Sequence, residues 1–252
     1  MRFDCLTLFP ALIDNIVTTS ILGRAIQNGI ITVNTHNIRE FSLDKHRKVD
    51  DTPYGGGMGM LMTVQPIIDC YKGFKDELSG KSRVIYLSPK GEKFTHKKAL
   101  ELSKYDNLIL LCGHYEGVDT RVEEMIVDEQ ISIGDFVLTG GELPAAMIID
   151  AVSRLLPGVL SDSVCFEDES IAGGLLEYPQ YTKPAIFDGL AVPEVLLGGN
   201  HKDITAWRRR KALEITLKFR PDLLKNNDKL TKDDILYLEQ LKANDAWSDV
   251  ID

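Results

Sequence analysis

The sequence predicts an α/β fold, a mainly parallel sheet with flanking helices over residues 1–160, followed by a small helical C-terminal domain. Short β-branched, apolar runs alternate with stretches of helical periodicity, as in a parallel sheet covered by helices. Three segments crowd glycine and proline after or within strand-like residues: YLSPKG at residues 86–91, LCGHYEG at residues 111–117 and SIGDFVLTGGELP at residues 132–144. Strand ends that all break into such loops point to one composite pocket, the usual place for a ligand in an open α/β sheet.

Taken in order, residues 83–87 and 107–111 read as buried strands, since both are short apolar runs bounded by turn residues. Residues 95–105, 118–127 and 143–155 read as helices. The last has Pro144 near its start, where a missing N–H costs little, and Pro157 and Gly158 after it. Residues 160–174 have no clear period, several carboxylates and terminal glycines, the character of a linker that doubles as a lid. Asn200 with Asp203 then resembles a helix cap, and Ile204, Trp207, Ala212, Ile215 and Phe219 share one helical face until Pro221 stops it. Arg208 and Lys211 intrude on that face. Thr231 with Asp234 suggests a further cap before Ile235, Leu236, Leu238 and Leu241. The chain thus divides into residues 1–160, a flexible linker over 161–174 and a mainly helical domain over 175–252.

A chain of 252 residues is long enough for one large domain or a domain with a smaller partner. Its apolar runs are too short to span a bilayer, and MRFDCLTLFP lacks the pattern of a signal peptide, so a soluble, cytoplasmic protein with no membrane partner is expected. Cys5, Cys70, Cys112 and Cys165 are far apart, without CxxC or histidines at zinc-finger spacing; reduced, mostly buried thiols are expected. The net charge of −9 excludes binding of nucleic acid through bulk electrostatics, so a local patch must do it. Residues 201–220 hold seven Lys or Arg against two acidic residues, and Lys45, Arg47 and Lys48 form a smaller cluster. Residues 161–194 carry seven carboxylates against one Lys, so the acidic balance is regional.

The order and spacing of HRKVDDTPYGGGMGM, YLSPKG, GHYEGVDTRV, SIGDFVLTGGELP, AVSRLLPGVL, GLLEYPQYTKP and LGGNHKDITAWRRR are similar to those of the bacterial tRNA (guanine-N1)-methyltransferase family, over residues 1 to about 240. The resemblance implies the SPOUT class, with a trefoil-knotted sheet that binds S-adenosylmethionine in a bent form. It implies methyl transfer to N1 of the guanosine 3′ of the tRNA anticodon, guanosine-37, by a homodimer whose site combines the cofactor loops of one chain with the linker and C-terminal domain of the other. A SPOUT enzyme acting on another RNA position stays open as the alternative, and a catalytically silent RNA-binding module as a third. Mg²⁺ is carried as a candidate support for catalysis, with no ligand cluster to hold it.

Read alone, the glycines of the three loops are tight turns or points where backbone approaches a ligand. With the resemblance, Tyr86, Leu87, Ser88, Pro89, Gly113, Tyr115, Glu116, Gly117, Ile133, Gly134, Leu138, Gly140, Gly141 and Pro144 form the implied cofactor set, Glu116 facing the positive methionine end. The run Gly55, Gly56, Gly57, Met58, Gly59 lacks the third glycine of a dinucleotide fingerprint and no strand leads directly into it; by resemblance it meets tRNA and the rim of the pocket. Guanine N1 carries a proton, so a general base is needed, and a cation at O6 would stabilise the charge that develops as the proton leaves. The resemblance offers Arg154 as the cation. For the base, the family reads Glu-Asp-Ser where this chain reads Asp168, Glu169, Ser170, which places Glu169 at the catalytic Asp position with Asp168 close behind. Tyr181, Thr182, Lys183, Asn200, His201, Trp207, Arg208 and Arg209 are the implied tRNA-facing residues.

Overall fold

The computed structural model describes residues 1–160, 170–171, 173–225 and 227–243. The chain divides into two compact units, Met1–Ser163 and Val164–Asp252. The first contains β1 (Arg2–Thr7), α1 (Pro10–Val17), α2 (Ser20–Gln27), β2 (Thr32–Asn37), β3 (Asp50–Asp51), β4 (Leu61–Met62), α3 (Val64–Phe74), β5 (Ser82–Lys93), α4 (His96–Leu102), β6 (Asn107–Cys112), α5 (Thr120–Ile126), β7 (Glu129–Ser132) and α6 (Glu142–Ser153). Five strands form one sheet in the order β2-β1-β6-β5-β7, and every pairing in it is parallel. The α/β expectation therefore holds, and the two expected strands and three expected helices fall within a few residues of β5, β6, α4, α5 and α6.

Side-chain alternation explains the burial of the sheet on both faces. On one face Phe3, Cys5, Ile85, Leu87, Leu108, Leu110, Cys112 and Ile131 meet residues of α1, α2, α4 and α6. On the other, Leu6, Val84, Tyr86, Ile109 and Leu111 meet those of α3 and α5. β7 escaped the sequence reading because it is short, and β1 because it carries a charge within its apolar run. That charge is Asp4, fully buried, which accepts from Arg2 at 2.7 Å and from Asn34 at 3.1 Å and lies 2.8 Å from His36 Nε2. Burial alone would raise the Asp4 pKa, but the hydrogen bonds from His36, Arg2 and Asn34 outweigh it and hold the carboxyl below its usual range. Cys5, Cys70 and Cys112 are buried and free, as expected; Cys165 lies outside the described residues.

The second unit contains a hairpin of β8 (Ile186–Phe187) and β9 (Leu190–Ala191), then α7 (Glu194–Leu197), α8 (His201–Phe219) and α9 (Lys232–Ala243). Asn200 caps α8 by accepting from the N–H of Lys202, and Arg220 and Pro221 end it. Thr231 and Asp234 form the expected box, each side chain accepting from the other's backbone N–H, at 2.8 Å and 3.2 Å. The expected apolar faces hold only in part. α8 buries Ala212, Leu213, Thr216 and Leu217, whereas Phe219 is 63% exposed; on α9, Leu238 is buried while Ile235 and Leu236 are exposed. The small core formed with Leu175 has room for one stripe from each helix, and the polar Thr216 enters it because its hydroxyl donates to Ala212 O and accepts from the N–H of Leu176. Of the expected linker, residues 161–169 and 172 lie outside the described residues; Glu177 N donates to Ser170 Oγ, and Gly174 O accepts from Asn227.

A close backbone approach at the end of β6 is made by Gly141, at the N-cap of α6. Its N–H donates to Gly113 O at 2.9 Å, and a Cβ there would lie 2.7 Å from the Cα of Cys112. Backbone meets backbone, so no side chain can turn away. Gly141→Ala should lower the unfolding free energy by about 1–3 kcal/mol, the usual cost of overpacking. Gly29→Ala, at a site with positive φ and open space around it, should cost about 1 kcal/mol, from the strain of a left-handed alanine alone. Urea titration of both variants checks the ordering.

Candidate active site

The cavity lies at the carboxyl ends of β5, β6 and β7 and has a volume of about 370 Å³. Each strand delivers a loop for its own reason. β5 leaves its register after Leu87, so that Leu87 and Glu92 both oppose Ile131 and residues 88–91 bulge outwards. β6 ends at Cys112, after which Tyr115 takes a left-handed backbone at φ 58°. β7 ends at Ser132, whose hydroxyl donates to Gly134 O and accepts from Gly134 N, closing the turn into residues 135–141. His114 and Gly140 then bridge in antiparallel fashion beside the Gly141–Gly113 bond, which brings the second and third loops together.

All fourteen residues of the implied cofactor set line this one cavity. Its floor holds Tyr86, whose ring explains Gly113: a Cβ there would lie 3.0 Å from the Tyr86 ring and hydroxyl. Burial, with Glu123 nearby, pushes the Tyr86 hydroxyl above its usual pKa despite a backbone hydrogen bond at Val118, so it stays protonated at neutral pH. Phe136, Val137 and Leu138 leave their apolar side chains partly or largely exposed in the loop over the cavity. An apolar wall, backbone polar groups and the carboxylates of Glu116 and Glu123 suit a ligand with a flat apolar part and a cationic or hydrogen-bond-donating part.

Glu123, His114, Phe136, Val137 and Thr139 also line the cavity and were missed. His114 and residues 136–139 sit between named glycines, a signal that was available. Glu123 had none, because a carboxylate in the first turn of a helix is equally explained by the macrodipole. It accepts from Gln130 Nε2 at 2.6 Å. The glycine run at 55–59 is anchored beside the same wall: Glu116 N donates to Met60 O, Met62 N donates to Gly117 O, and the Glu116 side chain covers Gly59. Gly55, Gly56, Gly57 and Gly59 all have positive φ, which gives the run a conformational reason of its own.

One implied residue stands elsewhere. Arg154 is the C-cap of α6, ten residues beyond Pro144, and a helix rises about 1.5 Å per residue, so its Cα is about 15 Å along the axis from the cavity wall. Asp168 and Glu169 lie outside the described residues. Among those described, no group of three or more His, Cys, Asp or Glu is arranged to hold a metal ion, and no helix is long and apolar enough to cross a membrane.

In the second unit Tyr181, Thr182, Lys183, Asn200, His201 and Arg208 are exposed, and Trp207 is half-buried with its ring 6.5 Å from that of Tyr181. Arg208 lies over the ring of Tyr178 at 4.8 Å, so cations and aromatics share this surface. Arg209 differs. It donates to Asp234 at 3.2 and 2.8 Å and to Lys229 O, tying α8 to the cap of α9. Burial works against the charge of Asp234, but Arg209 and Thr231 hold its pKa below the usual range.

Comparison with known proteins agrees with this geometry. The family model described as tRNA (Guanine-1)-methyltransferase TrmD matches residues 1–226. A tRNA (guanine-N(1)-)-methyltransferase of Ruminiclostridium cellulolyticum is 57% identical over 223 residues, 88% of this chain and 96% of that protein. The protein of the same name from Alkaliphilus oremlandii is 54% identical over 248 residues, 96% and 99% of the two chains, and that of Geobacter sulfurreducens is 54% identical over 224 residues, 89% and 91%. With three of its motifs gathered at one cavity and its length matched almost throughout, the chain belongs to the tRNA (guanine-1)-methyltransferase family of enzymes.

Proposed function

We propose that the protein methylates N1 of guanosine-37 in tRNA, using S-adenosylmethionine. The observation that carries this reading is the convergence of all fourteen implied cofactor residues on one cavity at the strand ends, in a chain of this family. The cavity has the size of a small-molecule site, and its apolar lip and carboxylates fit a purine and a cationic amino-acid part. Bound there, S-adenosylmethionine supplies the electrophilic methyl group. The backbone groups of residues 87–89, 113–117 and 133–141 orient it, the Phe136–Leu138 loop excludes water, and Glu116 or Glu123 offers negative charge to its ammonium. On this reading the first unit binds the cofactor, the second binds tRNA, residues 161–174 act as a linker, and the work is done in the cytoplasm. Mg²⁺ has no ligand set among the described residues to support it. The trefoil knot of the SPOUT class is part of the reading, supported by the close passage of Gly141 over the end of β6.

The active enzyme is a homodimer with a composite site. Arg154 is too far along α6 to serve the cavity of its own chain, since an arginine side chain extends only about half of the ~15 Å of helix between them. A partner's Arg154 can do so. Leu12 and Ile16 on α1, Leu143 and Met147 on α6, and Phe9 are all substantially exposed on two helices that pack together, an apolar face suited to a second copy. The base is Glu169, which takes the N1 proton, with Asp168 as the alternative; Arg154 stabilises the charge that then grows on O6.

The test is to incubate the enzyme with tRNA and methyl-labelled cofactor and map the label. It should fall on N1 of guanosine-37 and vanish when position 37 is adenosine; label at another nucleotide, or none, rejects the proposal. In the same assay at saturating tRNA, Glu169→Gln should slow single-turnover transfer at least about a hundredfold, with little effect on cofactor binding. Asp168→Asn should do much less, and the reverse ranking would reassign the base.

The cations of the second unit should separate by role. Arg208→Gln should flatten the dependence of tRNA affinity on salt by about one unit of log–log slope. Arg209→Gln should leave the slope nearly unchanged and instead destabilise the second unit by about 1–2 kcal/mol, because Asp234 loses its partner. Asp234 has a depressed folded-state pKa, so its contribution is present above the unfolded carboxylate pKa near ~4 and is lost as pH falls through the folded value. Wild type should therefore lose part of its stability in acid, and Arg209→Gln should lose less. Salt titrations of binding and pH-dependent melting measure both.

A further inference from the structure

Arg39 is a cation beside Tyr115, a residue of the cavity wall, that neither the motifs nor the family comparison singles out. It sits in the 3₁₀ turn Ile38–Phe41 that follows β2. Ile38 is fully buried and Asn37 Oδ1 accepts from Arg39 N at 3.1 Å, so the turn is pinned immediately before the residue that projects. The guanidinium Nη2 lies 3.5 Å from the hydroxyl of Tyr115, on the solvent side. Tyr115 lines the cavity, is 42% exposed and holds a left-handed backbone, which a non-glycine residue keeps only when its surroundings enforce it. Among the described residues Arg39 has no carboxylate within ion-pair distance, in a chain with a net charge of −9. A half-buried arginine with no counter-ion among the described residues, its guanidinium beside the exposed hydroxyl of a tyrosine that lines the cavity, is placed to receive an anion from outside.

We propose that Arg39, positioned by Tyr115, binds a backbone phosphate of the RNA beside the nucleotide that enters the cavity. This deepens the function proposed above and rests on it. The contact with Tyr115 is on the exposed side, facing bulk solvent, which favours an RNA phosphate over the carboxylate of a molecule seated inside. The guanidinium can bind the phosphate through two N–H donors while its third edge rests on the tyrosine hydroxyl.

The experiment compares wild type, Arg39→Gln, Arg39→Lys and Tyr115→Phe for tRNA binding across salt concentrations, S-adenosylmethionine binding by calorimetry, and thermal unfolding. Arg39→Gln should flatten the log–log salt slope by about 0.7–0.9, the share of one phosphate, and raise the KM for tRNA about five- to tenfold. Its cofactor affinity, melting temperature and kcat at saturating tRNA should stay near wild type. Arg39→Lys should restore the slope, and Tyr115→Phe should keep the slope while weakening tRNA binding about two- to threefold. An unchanged slope in Arg39→Gln overturns the inference, as does a loss of cofactor affinity without a change of slope, which would make the cofactor carboxylate the anion. If wild type itself shows no salt-dependent tRNA binding, the proposed function fails, and the inference fails with it.

Discussion

The site depends on one close approach, that of Gly141 to the end of β6. Two backbones meet there with no room for a Cβ, and the N–H of Gly141 is satisfied by Gly113 O. Because of that contact, α6 starts against the strand end and the loop preceding it must return across the sheet. The His114–Gly140 bridge and the apolar lip of residues 136–138 follow from the same return. A second tie fixes the helix from below: Thr7 Oγ1 donates to Glu142 Oε1 at 2.7 Å in the core and accepts from Phe9 N. The strand end of β1, the start of α1 and the start of α6 are thereby joined through two side chains, Thr7 and Glu142, and the cavity is built on rigid elements.

This arrangement changes the meaning of some of the glycines. The sequence suggested that glycine is needed so that backbone can approach a ligand. For Gly113 and Gly141 the structure gives an internal reason first: one faces the Tyr86 ring and the other the Cys112 backbone. The two reasons are compatible, since Gly113 and Gly141 both line the cavity as well. A residue can therefore mark a cavity loop while its own chemistry serves the fold.

Much of the first unit was legible because its elements carry local signals. The runs at β5 and β6 are apolar without interruption and end at Pro89 and Gly113, and α6 is framed by Pro144 and Pro157. β1 was illegible because Asp4 breaks its apolar run; its stability comes from His36, Arg2 and Asn34, which only folding brings together. The same limit applies to α8, where periodicity alone chose Ile204, Trp207, Ala212, Ile215 and Phe219 as the core face; of these only Ala212 is buried, and Leu213, Thr216 and Leu217 complete the buried stripe. Arg209 shows the limit for function. It belongs to a basic run that reads as an RNA surface, yet its partner Asp234 lies 25 residues away and commits it to structure. The separation of ligand-facing from structural cations is a tertiary property.

Most directly, the central claim is that the three glycine-rich strand ends, held together at Gly141, are the cofactor site. Hydrogen exchange with and without S-adenosylmethionine measures this in the intact protein. The account predicts that protection concentrates in amides of residues 86–91, 112–118 and 132–141, with the start of α6 slowed alongside them and the helices of the second unit unchanged by cofactor alone. Protection confined to other segments, or none in the presence of saturating cofactor, would contradict it.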